Sequence, residues 1–472
     1  GIDPCVGDRR EPWGVRGWLC NNPPPHGVPM AAVQPTSPEA FLLDLFPPGT
    51  IRRAGRRLGC YLRVRKIDVL ALVLVVVLTV CGRGEQPIAE MRRELERRTG
   101  VFVVRSSFWA RLSPEFGRLV RWLLDSVVKR SWDDVPQLPG FLEGFTDLIA
   151  GDATVVQVHK SLAAKWKGTG SDAAIKVHTL VRALTGELLR YRITEETRPE
   201  CKVFGAGHWA RGALFLLDRG YSAAALWWRI HRLGGFFVTR LKKNFHAVVV
   251  EVNPGHRGSR TKPVGKKIWD VLKGRHGGRV DVMCRFTVKV RRYRLRRGRR
   301  FEHCFRVVAV WNGVEQRYQL YVTNVPPTRF TAEQVAASYR LRWEVERFYV
   351  CAKSGMGLDR VTSKKAHVVE LLVRAALLRA TVAMQAKCIA DQHLPRHRWT
   401  NGLLWMKVWR ERTAELLVGW LDGHETHRQT TWARLARLAM DPNRNRLSPR
   451  VVAQLGVALE WAWHRHSSRS SA

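Results

Sequence analysis

Apolar residues recur with a helical period in the first part of the chain. From Pro38 to about Lys129 they return every three or four positions, as Ile88, Met91 and Leu95 do, which is the spacing of a helix with one buried face. The longest apolar run, Val69–Cys81, is shorter than the roughly 20 residues that a membrane-spanning helix needs. This run therefore predicts a buried core helix within a helical region.

Two short helices in this region have a spacing that fits DNA recognition. Ile88–Arg98 ends at Gly100, a typical stop signal, and a second helix would begin at Ser106 or Ser107, whose side chain would act as N-cap. Two short helices around a turn on a basic chain resemble a helix-turn-helix. An ordinary helical pair explains the same pattern slightly better, so both interpretations stay open.

The period changes to that of strands after a linker marked by Pro136 and Pro139. Three strands with short connections are followed by a strand, a helix and a strand. The predicted bounds are Asp147–Val158, Ala174–Val181, Glu187–Ile193 and Ala213–Leu217 for the strands, Ser222–Leu233 for the helix and Phe236–Arg240 for the last strand. This order predicts a mixed α/β layer.

A basic antiparallel β region is predicted between Asn244 and Val325. Asn253–Arg279 is dominated by Gly, Lys, Arg and His and predicts a flexible loop. Strands are predicted at Asp281–Val290, Phe301–Trp311 and Val314–Thr323. The Asn312-Gly313 pair between the last two is a strong hairpin signal.

Helix returns in the last third of the chain. Thr331 as N-cap, with Gln334 in the first turn, predicts a helix that continues to about Ser354. Ala366–Asp391 predicts a longer apolar helix. The segment from Leu394 is a Trp- and Arg-rich helical region that ends in a Ser/Arg tail.

Charge narrows the choice of partner. The chain has 80 Lys and Arg against 40 Asp and Glu, a net charge of +40, which opposes compaction unless a polyanion screens it. Nucleic acid is therefore the leading partner and an anionic membrane surface the weaker one. The 45% of hydrophobic residues excludes a wholly disordered chain, although the Pro- and Gly-rich residues 1–37 predict a disordered tail. An odd number of cysteines, nine, without a Cys-x-x-Cys pair favours reduced thiols in a cytosolic protein.

Four residues of the helix that begins at Thr331 form one polar stripe. Tyr339, Arg342, Glu346 and Lys353 fall within roughly 60° of one face at 100° per residue. A solvated, salt-bridged face, for which Arg342 and Glu346 alone suffice, explains this spacing about as well as a catalytic role does.

The same residues resemble a known signature. Tyr-x-x-Arg-x-x-x-Glu-x-x-x-x-x-x-Lys is similar to the Y-R-E-K motif of the DDE transposases of the insertion-sequence-four type, and residues 338–361 resemble that family's catalytic helix throughout. Gly151-Asp152-Ala153-Thr154 resembles its first aspartate motif, although Gly-Thr or Gly-Ser is expected after the aspartate. Leu217-Asp218-Arg219-Gly220-Tyr221 resembles the second, and Val322-Thr323-Asn324 resembles the strand that re-enters the core. The resemblance covers about residues 40–395.

This resemblance implies an α/β fold with an RNase H-like mixed-sheet catalytic core, a β-rich insertion and helical regions at both ends. The expected organisation is a disordered tail at 1–37, a helical DNA-binding region at 38–140, the first part of the core at 141–243, a basic β insertion outside the core sheet at 244–325, the second part of the core with its catalytic helix at 326–393, and a helical region at 394–472.

The catalytic and metal-binding residues implied are Asp152, Asp218 and Glu346. Phosphodiester cleavage needs an activated nucleophile and a stabilised leaving oxygen, and two divalent ions about 3.5–4 Å apart supply both. Three converging carboxylates repel one another without metal and suit two Mg²⁺ ions, with Mn²⁺ tolerated. Taken singly, Asp152 also fits a strand-end residue and Asp218 a helix N-cap. Their joint order with Glu346 makes those simpler interpretations weaker.

DNA contacts are expected at two places. The resemblance implies that Tyr339, Arg342 and Lys353 contact the transferred DNA end near the scissile phosphate. The second place is the run 291–300, with seven arginines in ten residues, which is either a solvated hairpin tip or a clamp on the DNA backbone. Charge density favours the clamp, formed by Arg296, Arg297, Arg299 and Arg300.

The activity implied is metal-dependent, cut-and-paste DNA transposition. Its expected partner is double-stranded DNA, as transposon ends and as target, bound by a homodimer on paired terminal inverted repeats. The protein is expected in the cytoplasm, associated with the nucleoid and not with a membrane. Two alternatives remain: a catalytically inactive DNA-binding relict, and a related nuclease that hydrolyses DNA without strand transfer.

Overall fold

Two units divide the chain in the computed structural model. The β unit holds Pro199–Tyr339, and the α unit holds the described residues of Pro23–Arg198 and Arg340–Ala472. The described residues are 35, 37–61, 67–78, 87–133, 135, 137–254, 263–290, 299–395, 398–422 and 431–442. The predicted tail at 1–37 lies almost wholly outside them, apart from Pro35 and Ser37.

The helices and strands of the described residues follow in chain order. The helices are α1 (Pro38–Leu45), α2 (Pro48–Arg57), α3 (Val69–Leu78), α4 (Pro87–Thr99), α5 (Arg105–Arg111), α6 (Pro114–Asp133), α7 (Glu200–Val203), α8 (Ala224–Arg232), α9 (Ile268–Leu272), α10 (Ala332–Arg340), α11 (Trp343–Val350), α12 (Ala366–Asp391), α13 (Gly402–Asp422) and α14 (Trp432–Leu438). The strands are β1 (Leu148–Gln157), β2 (Ala174–Arg182), β3 (Leu188–Glu195), β4 (Leu214–Leu217), β5 (Phe236–Arg240), β6 (Val248–Val252), β7 (Arg279–Val290), β8 (Arg299–Asn312) and β9 (Arg317–Thr323).

The core of the α unit forms around α3 and α12. Every side chain of α3 is buried, as its unbroken apolar sequence predicts. Polar side chains of α12 bind the backbone of its neighbours: Arg379 donates to the Val76 carbonyl at 2.7 Å, and Gln385 donates to the Val127 carbonyl at 3.1 Å. Buried donors that are satisfied in this way fix the register of α12 against α3 and α6.

A three-stranded antiparallel sheet, β3-β2-β1, belongs to the same unit. Arg182 of β2 is wholly buried and pairs with Asp147 at 3.1 Å and Glu187 at 2.7 Å. A buried guanidinium with two carboxylates has its charge compensated. Since Asp147 precedes β1, Arg182 ends β2 and Glu187 precedes β3, these ion pairs hold the neighbouring ends of the three strands together.

The β unit contains a six-stranded mixed sheet in the order β4-β5-β9-β8-β7-β6. β4 and β5 are parallel, and the remaining neighbours are antiparallel. The mixed α/β class expected from the sequence is confirmed, as are the helical regions at both ends.

The sequence predicts that residues 244–325 lie outside the core sheet. In the β unit this prediction is wrong, because their strands belong to the same sheet as β4 and β5. β9 pairs with β5 in the register Val238↔Thr323, so β6 to β9 extend the sheet that begins with β4. The junction is fixed by side chains: the Thr323 hydroxyl donates to the Phe237 carbonyl at 2.6 Å, and the Asn324 side chain accepts from the Phe237 amide at 2.9 Å.

The hairpin after β8 is confirmed, but its turn is longer than predicted. β9 begins at Arg317, and the connection is the four residues 313–316. The Asn312 side chain accepts from the amides of Val314 and Glu315 at 3.0 and 3.1 Å, which folds an Asx-type turn. Gln316, at φ 48°, takes the left-handed conformation in this turn.

The helix predicted from Thr331 to about Ser354 is interrupted. Its start is confirmed, since Thr331 and Gln334 cap each other at 2.8 and 3.2 Å. Between α10 and α11 the backbone bonds become three-residue turns, from the Glu344 amide to Leu341 and from the Val345 amide to Arg342. A five-residue π-helical turn follows at Cys351–Gly355. The 100° spacing behind the predicted stripe therefore does not hold along its length.

Two smaller expectations also need correction. The N-cap of α5 is Val104, not Ser106 or Ser107, and its side chain makes no capping bond. The predicted loop after Asn253 contains the short helix α9, because the apolar side chain of Ile268 is buried.

Candidate active site

Asp152 lies in the middle of β1, where the strand changes from buried to partly exposed. Residues 148–151 are buried, and the Asp152 side chain is 18% exposed. One carboxylate oxygen accepts from the Ala153 amide at 2.7 Å, which fixes its rotamer. The backbone pairs with Thr179 of β2. A carboxylate that is fixed in this way and partly exposed can bind a cation.

Glu346 of α11 and Asp152 contact the same positively charged side chain, that of Arg342. One nitrogen of the Arg342 guanidinium lies 3.4 Å from the Asp152 carboxylate, and the other donates to Glu346. The exposed fractions of the Arg342 and Glu346 side chains are 12% and 29%. One guanidinium therefore bridges two carboxylates that are 194 positions apart in the sequence.

Tyr349 explains how α11 is held on β1. Its hydroxyl lies 3.0 Å from the Asp152 carbonyl and 2.9 Å from the Val177 carbonyl, and it accepts from the Thr179 hydroxyl at 2.8 Å. The ring is 6% exposed. The sequence prediction missed this residue, although its position three residues after Glu346 puts it on an adjacent part of the helix surface.

Lys353 reaches the same strand from the π-helical turn. Its ammonium group donates to the Val155 carbonyl at 3.2 Å, three residues beyond Asp152. Arg342, Glu346 and Lys353 of the predicted stripe are thus brought to β1 within the α unit.

Asp218 and Tyr339 belong to the β unit and are described within it. Asp218 follows the fully buried β4 and caps the turn Arg219–Tyr221, with a long bond of 3.5 Å from the Gly220 amide. Tyr339 of α10 is 8% exposed, and its ring packs 5.2 Å from that of Tyr321.

Glu200 is a second acidic side chain beside the Asp218 turn. A Cβ added to Gly220 would overlap the Glu200 carboxylate, so the two residues are in direct contact. Sequence reasoning did not single out Glu200. The one available signal was Gly220, two residues after Asp218, since a glycine in a turn indicates that another part of the chain approaches it closely.

The arginine run is described only at its end. Arg296 and Arg297 lie outside the described residues, while Arg299 and Arg300 open β8 and pair with Val290 and Lys289. The side chain of Arg300 is exposed. That the arginine run contacts the DNA backbone stays a prediction.

In the described part of the chain, no three His, Cys, Asp or Glu side chains are grouped as metal ligands. Asp152 and Glu346 are instead paired around the guanidinium of Arg342. None of the described helices is both long and apolar enough to span a bilayer.

Comparisons with known proteins agree on one family. The family model "Transposase DDE domain" matches residues 143–380, about half of the chain, and this span contains β1, β4 and α11. Two Escherichia coli proteins are 38% identical over 61 residues: the putative transposase InsL for insertion sequence element IS186A, from strain K12, and the transposase for insertion sequence element IS421. The matched segment spans 13% of this chain and 16% of each relative.

A solved structure is similar over a longer range. The piggyBac transposase synaptic complex with hairpin DNA aligns with 84% of this chain and 87% of that one, at 9% identity and a TM-score of 0.37. The family match rests instead on the sequence model, which covers the strand of Asp152, the turn of Asp218 and the helix of Glu346. The chain belongs to the DDE transposase family, of the insertion-sequence-four type.

Proposed function

We propose that this chain is a transposase that cuts DNA at the ends of a mobile element and joins the freed 3′-hydroxyl to target DNA. The observation that carries the proposal is the bridge made by Arg342, which brings the carboxylates of Asp152 and Glu346 to one guanidinium. These are the first and third acidic positions of the family motif. Asp218, at the end of β4, is proposed as the second.

The donor set suits Mg²⁺. Asp152 and Glu346 offer hard carboxylate oxygens, which Mg²⁺ prefers, and both already face a positive charge. We therefore assign the metal ligands to Asp152, Asp218 and Glu346, for two ions. Bound there, divalent metal would activate the attacking oxygen and stabilise the leaving oxygen.

The chain's own cationic residues would orient the DNA. Arg342 has the planar fork that binds a phosphate bidentately, and Lys353 supplies a point charge beside the same strand. Tyr349 holds α11 against β1, so that the carboxylate of Glu346 keeps its direction. We assign Tyr339 to the transferred strand and propose a homodimer acting on two paired ends in the cytoplasm.

Strand transfer separates this function from that of a nuclease. The test is the incubation of the full chain with Mg²⁺ and a plasmid that carries the gene with its flanking DNA, followed by sequencing of new junctions. A transposase produces insertions joined to short target duplications, and Asp218→Asn abolishes them while DNA binding is kept. Cleavage without junctions would instead support a nuclease, and binding without cleavage an inactive relict.

A further inference from the structure

A basic cavity lies in the N-terminal helical region of the α unit, built from other residues than the candidate active site. Its volume is about 670 Å³, within the range of roughly 300–1,000 Å³ typical of ligand sites. The described residues that line it are Arg52, Arg53, Arg56, Arg57, Tyr61 and Asp68.

The spacing on α2 explains why the arginines gather there. Positions 52, 53, 56 and 57 share one face of the helix, while Ile51 and Ala54 face the core. All four arginine side chains are exposed. The core-facing side of α2 approaches α3 closely at Gly55, where a Cβ would lie 3.1 Å from Val69.

Tyr61 and Asp68 give this surface a fixed shape. The Tyr61 hydroxyl donates to the Arg52 carbonyl at 3.0 Å, and the edge of its ring packs against Gly55. Asp68 binds Arg52 with both carboxylate oxygens, at 2.8 and 3.4 Å. The guanidinium of Arg56 lies 6.0 Å from the centre of the Tyr61 ring. The cavity wall is thus held before a ligand arrives, which lowers the entropic cost of binding.

The charge of the cavity indicates an anionic ligand. Four guanidinium groups line it against one carboxylate, and that carboxylate pairs with Arg52. Arg53 donates to the neutral Thr50 hydroxyl at 3.0 Å. The positive charges of Arg53, Arg56 and Arg57 are therefore not matched by acidic groups among the lining residues.

We propose that this cavity binds the phosphodiester backbone of DNA. The inference rests on the proposed function for its substrate class and adds a site to it. From Arg52 to Arg57 the helix rises about 7.5 Å, which is roughly two nucleotide steps along one strand. The planar forks of exposed arginines match phosphate oxygens bidentately. An extended polyanion thus fits the row of charges better than a single small anion.

The test is the triple variant Arg53→Gln/Arg56→Gln/Arg57→Gln, which leaves the Arg52–Asp68 pair and the Tyr61 hydrogen bond in place. A matched control removes the same charge at exposed arginines outside the cavity and outside the N-terminal helical region: Arg198→Gln/Arg434→Gln/Arg437→Gln. Fluorescence anisotropy with a labelled 30-base-pair duplex is measured across a salt series, and circular dichroism checks that each variant folds.

The cavity variant is expected to weaken binding by about tenfold or more, and the slope of log K against log salt should shrink by up to about 2.7. The control should retain more affinity and more slope. Asp68→Asn, which removes the only carboxylate among the lining residues, should tighten binding. Equal losses in the two triple variants would overturn the proposal, because the effect would then be one of total charge.

Two further outcomes separate this site from its alternatives. Pyrophosphate or ATP binding that is lost in the cavity variant, with duplex binding unchanged, would assign the cavity to a free phosphate compound and refute the DNA assignment. The proposed function is judged separately by Mg²⁺-dependent cleavage. A chain that cleaves no DNA but loses duplex binding in the cavity variant would keep the inference and refute the transposase.

Discussion

At the residue scale, Gly220 and Glu200 test the packing of the turn after Asp218. Gly220→Ala should destabilise the fold by about 1 kcal/mol, because the new methyl group displaces the Glu200 carboxylate, which can rotate away. In a Glu200→Ala background the same change should be neutral or slightly stabilising, since alanine restricts the unfolded chain. Urea unfolding of the four proteins measures the difference. The same cost in both backgrounds would contradict the contact.

His178 gives a pH-dependent prediction. Burial, with smaller effects from the charges of Lys176 and Arg192, lowers the pKa of His178 to about 3. The unfolded chain takes up a proton near pH 6.5 while the folded chain does not, so stability present above pH 6.5 is lost as the pH falls toward 3.

The largest loss attributable to this group is about 1.4 kcal/mol per pH unit. Unfolding midpoints of the wild type should therefore fall more steeply between pH 6 and pH 4 than those of His178→Gln. Parallel pH profiles would show that His178 is protonated in the folded protein.

The sequence predicted part of the site at this scale. The resemblance of their motifs to the family's acidic positions singles out Asp152 and Glu346, and the structure brings them to one guanidinium; their catalytic role stays a prediction. Tyr349 was missed, because a tyrosine between Phe348 and Val350 is indistinguishable by pattern from a core residue. Its hydroxyl contacts two carbonyl groups, those of Asp152 and Val177. Both lie far from Tyr349 in the sequence and approach it only in the folded chain.

At the scale of elements, a buried ion pair joins β7 and β8. Arg306 and Asp281 are each 2% exposed and form a bidentate pair, and Arg306 also donates to the Phe330 carbonyl at 2.8 Å. Asp281→Ala should destabilise the fold by about 3–5 kcal/mol, because it leaves a buried charge without its partner. Urea unfolding is the measurement.

The same two strands offer a control. Arg285 and Glu302 form an exposed pair, with side chains 48% and 60% accessible. Glu302→Gln should change stability by less than about 0.5 kcal/mol, since exposed pairs contribute little. Similar losses from both variants would contradict the burial argument.

The arginine run 291–300, which ends in the first two residues of β8, gives the second prediction at this scale. Replacement of Arg296, Arg297, Arg299 and Arg300 by Ala should weaken binding to element ends and to unrelated DNA alike. If each arginine contacts one phosphate, the salt slope should shrink by up to about four units. An unchanged slope would assign the run to a solvated hairpin tip. A preserved salt slope, together with a loss of discrimination between element ends and unrelated DNA, would instead indicate base recognition.

Element boundaries followed from the sequence wherever a single period dominated. β5 and α12 have the predicted bounds, and β1 differs by one residue at each end. The break before α11 was not predictable, because Leu341 and Arg342 are ordinary helix formers and no glycine or proline marks it. The continuation of the β unit's sheet was missed for a related reason. It depends on side-chain bonds from Thr323 and Asn324 to β5, which no local pattern contains.

At the scale of the whole molecule, the net charge of +40 is the property that function must explain. Charge of this size destabilises a compact chain through self-repulsion and draws it to polyanions. We propose that this charge serves the binding of DNA, and that the carboxylates of Asp152, Asp218 and Glu346 are the acidic exception, where metal would bind. Only the chemistry at those carboxylates separates a transposase from a basic DNA-binding protein.

The most direct test compares two glutamates of one helix. Glu346 shares the Arg342 guanidinium with Asp152, whereas Glu344, two residues away, pairs with Arg347 at 2.8 Å. Mg²⁺-dependent cleavage of the plasmid with the gene's flanking DNA is measured for Glu346→Gln and Glu344→Gln. Glu346→Gln is expected to lower the rate by about 10³-fold or more with binding kept, and Glu344→Gln is expected to stay near wild type. Cleavage that survives Glu346→Gln, or is lost equally in both variants, would refute the catalytic role proposed for Glu346.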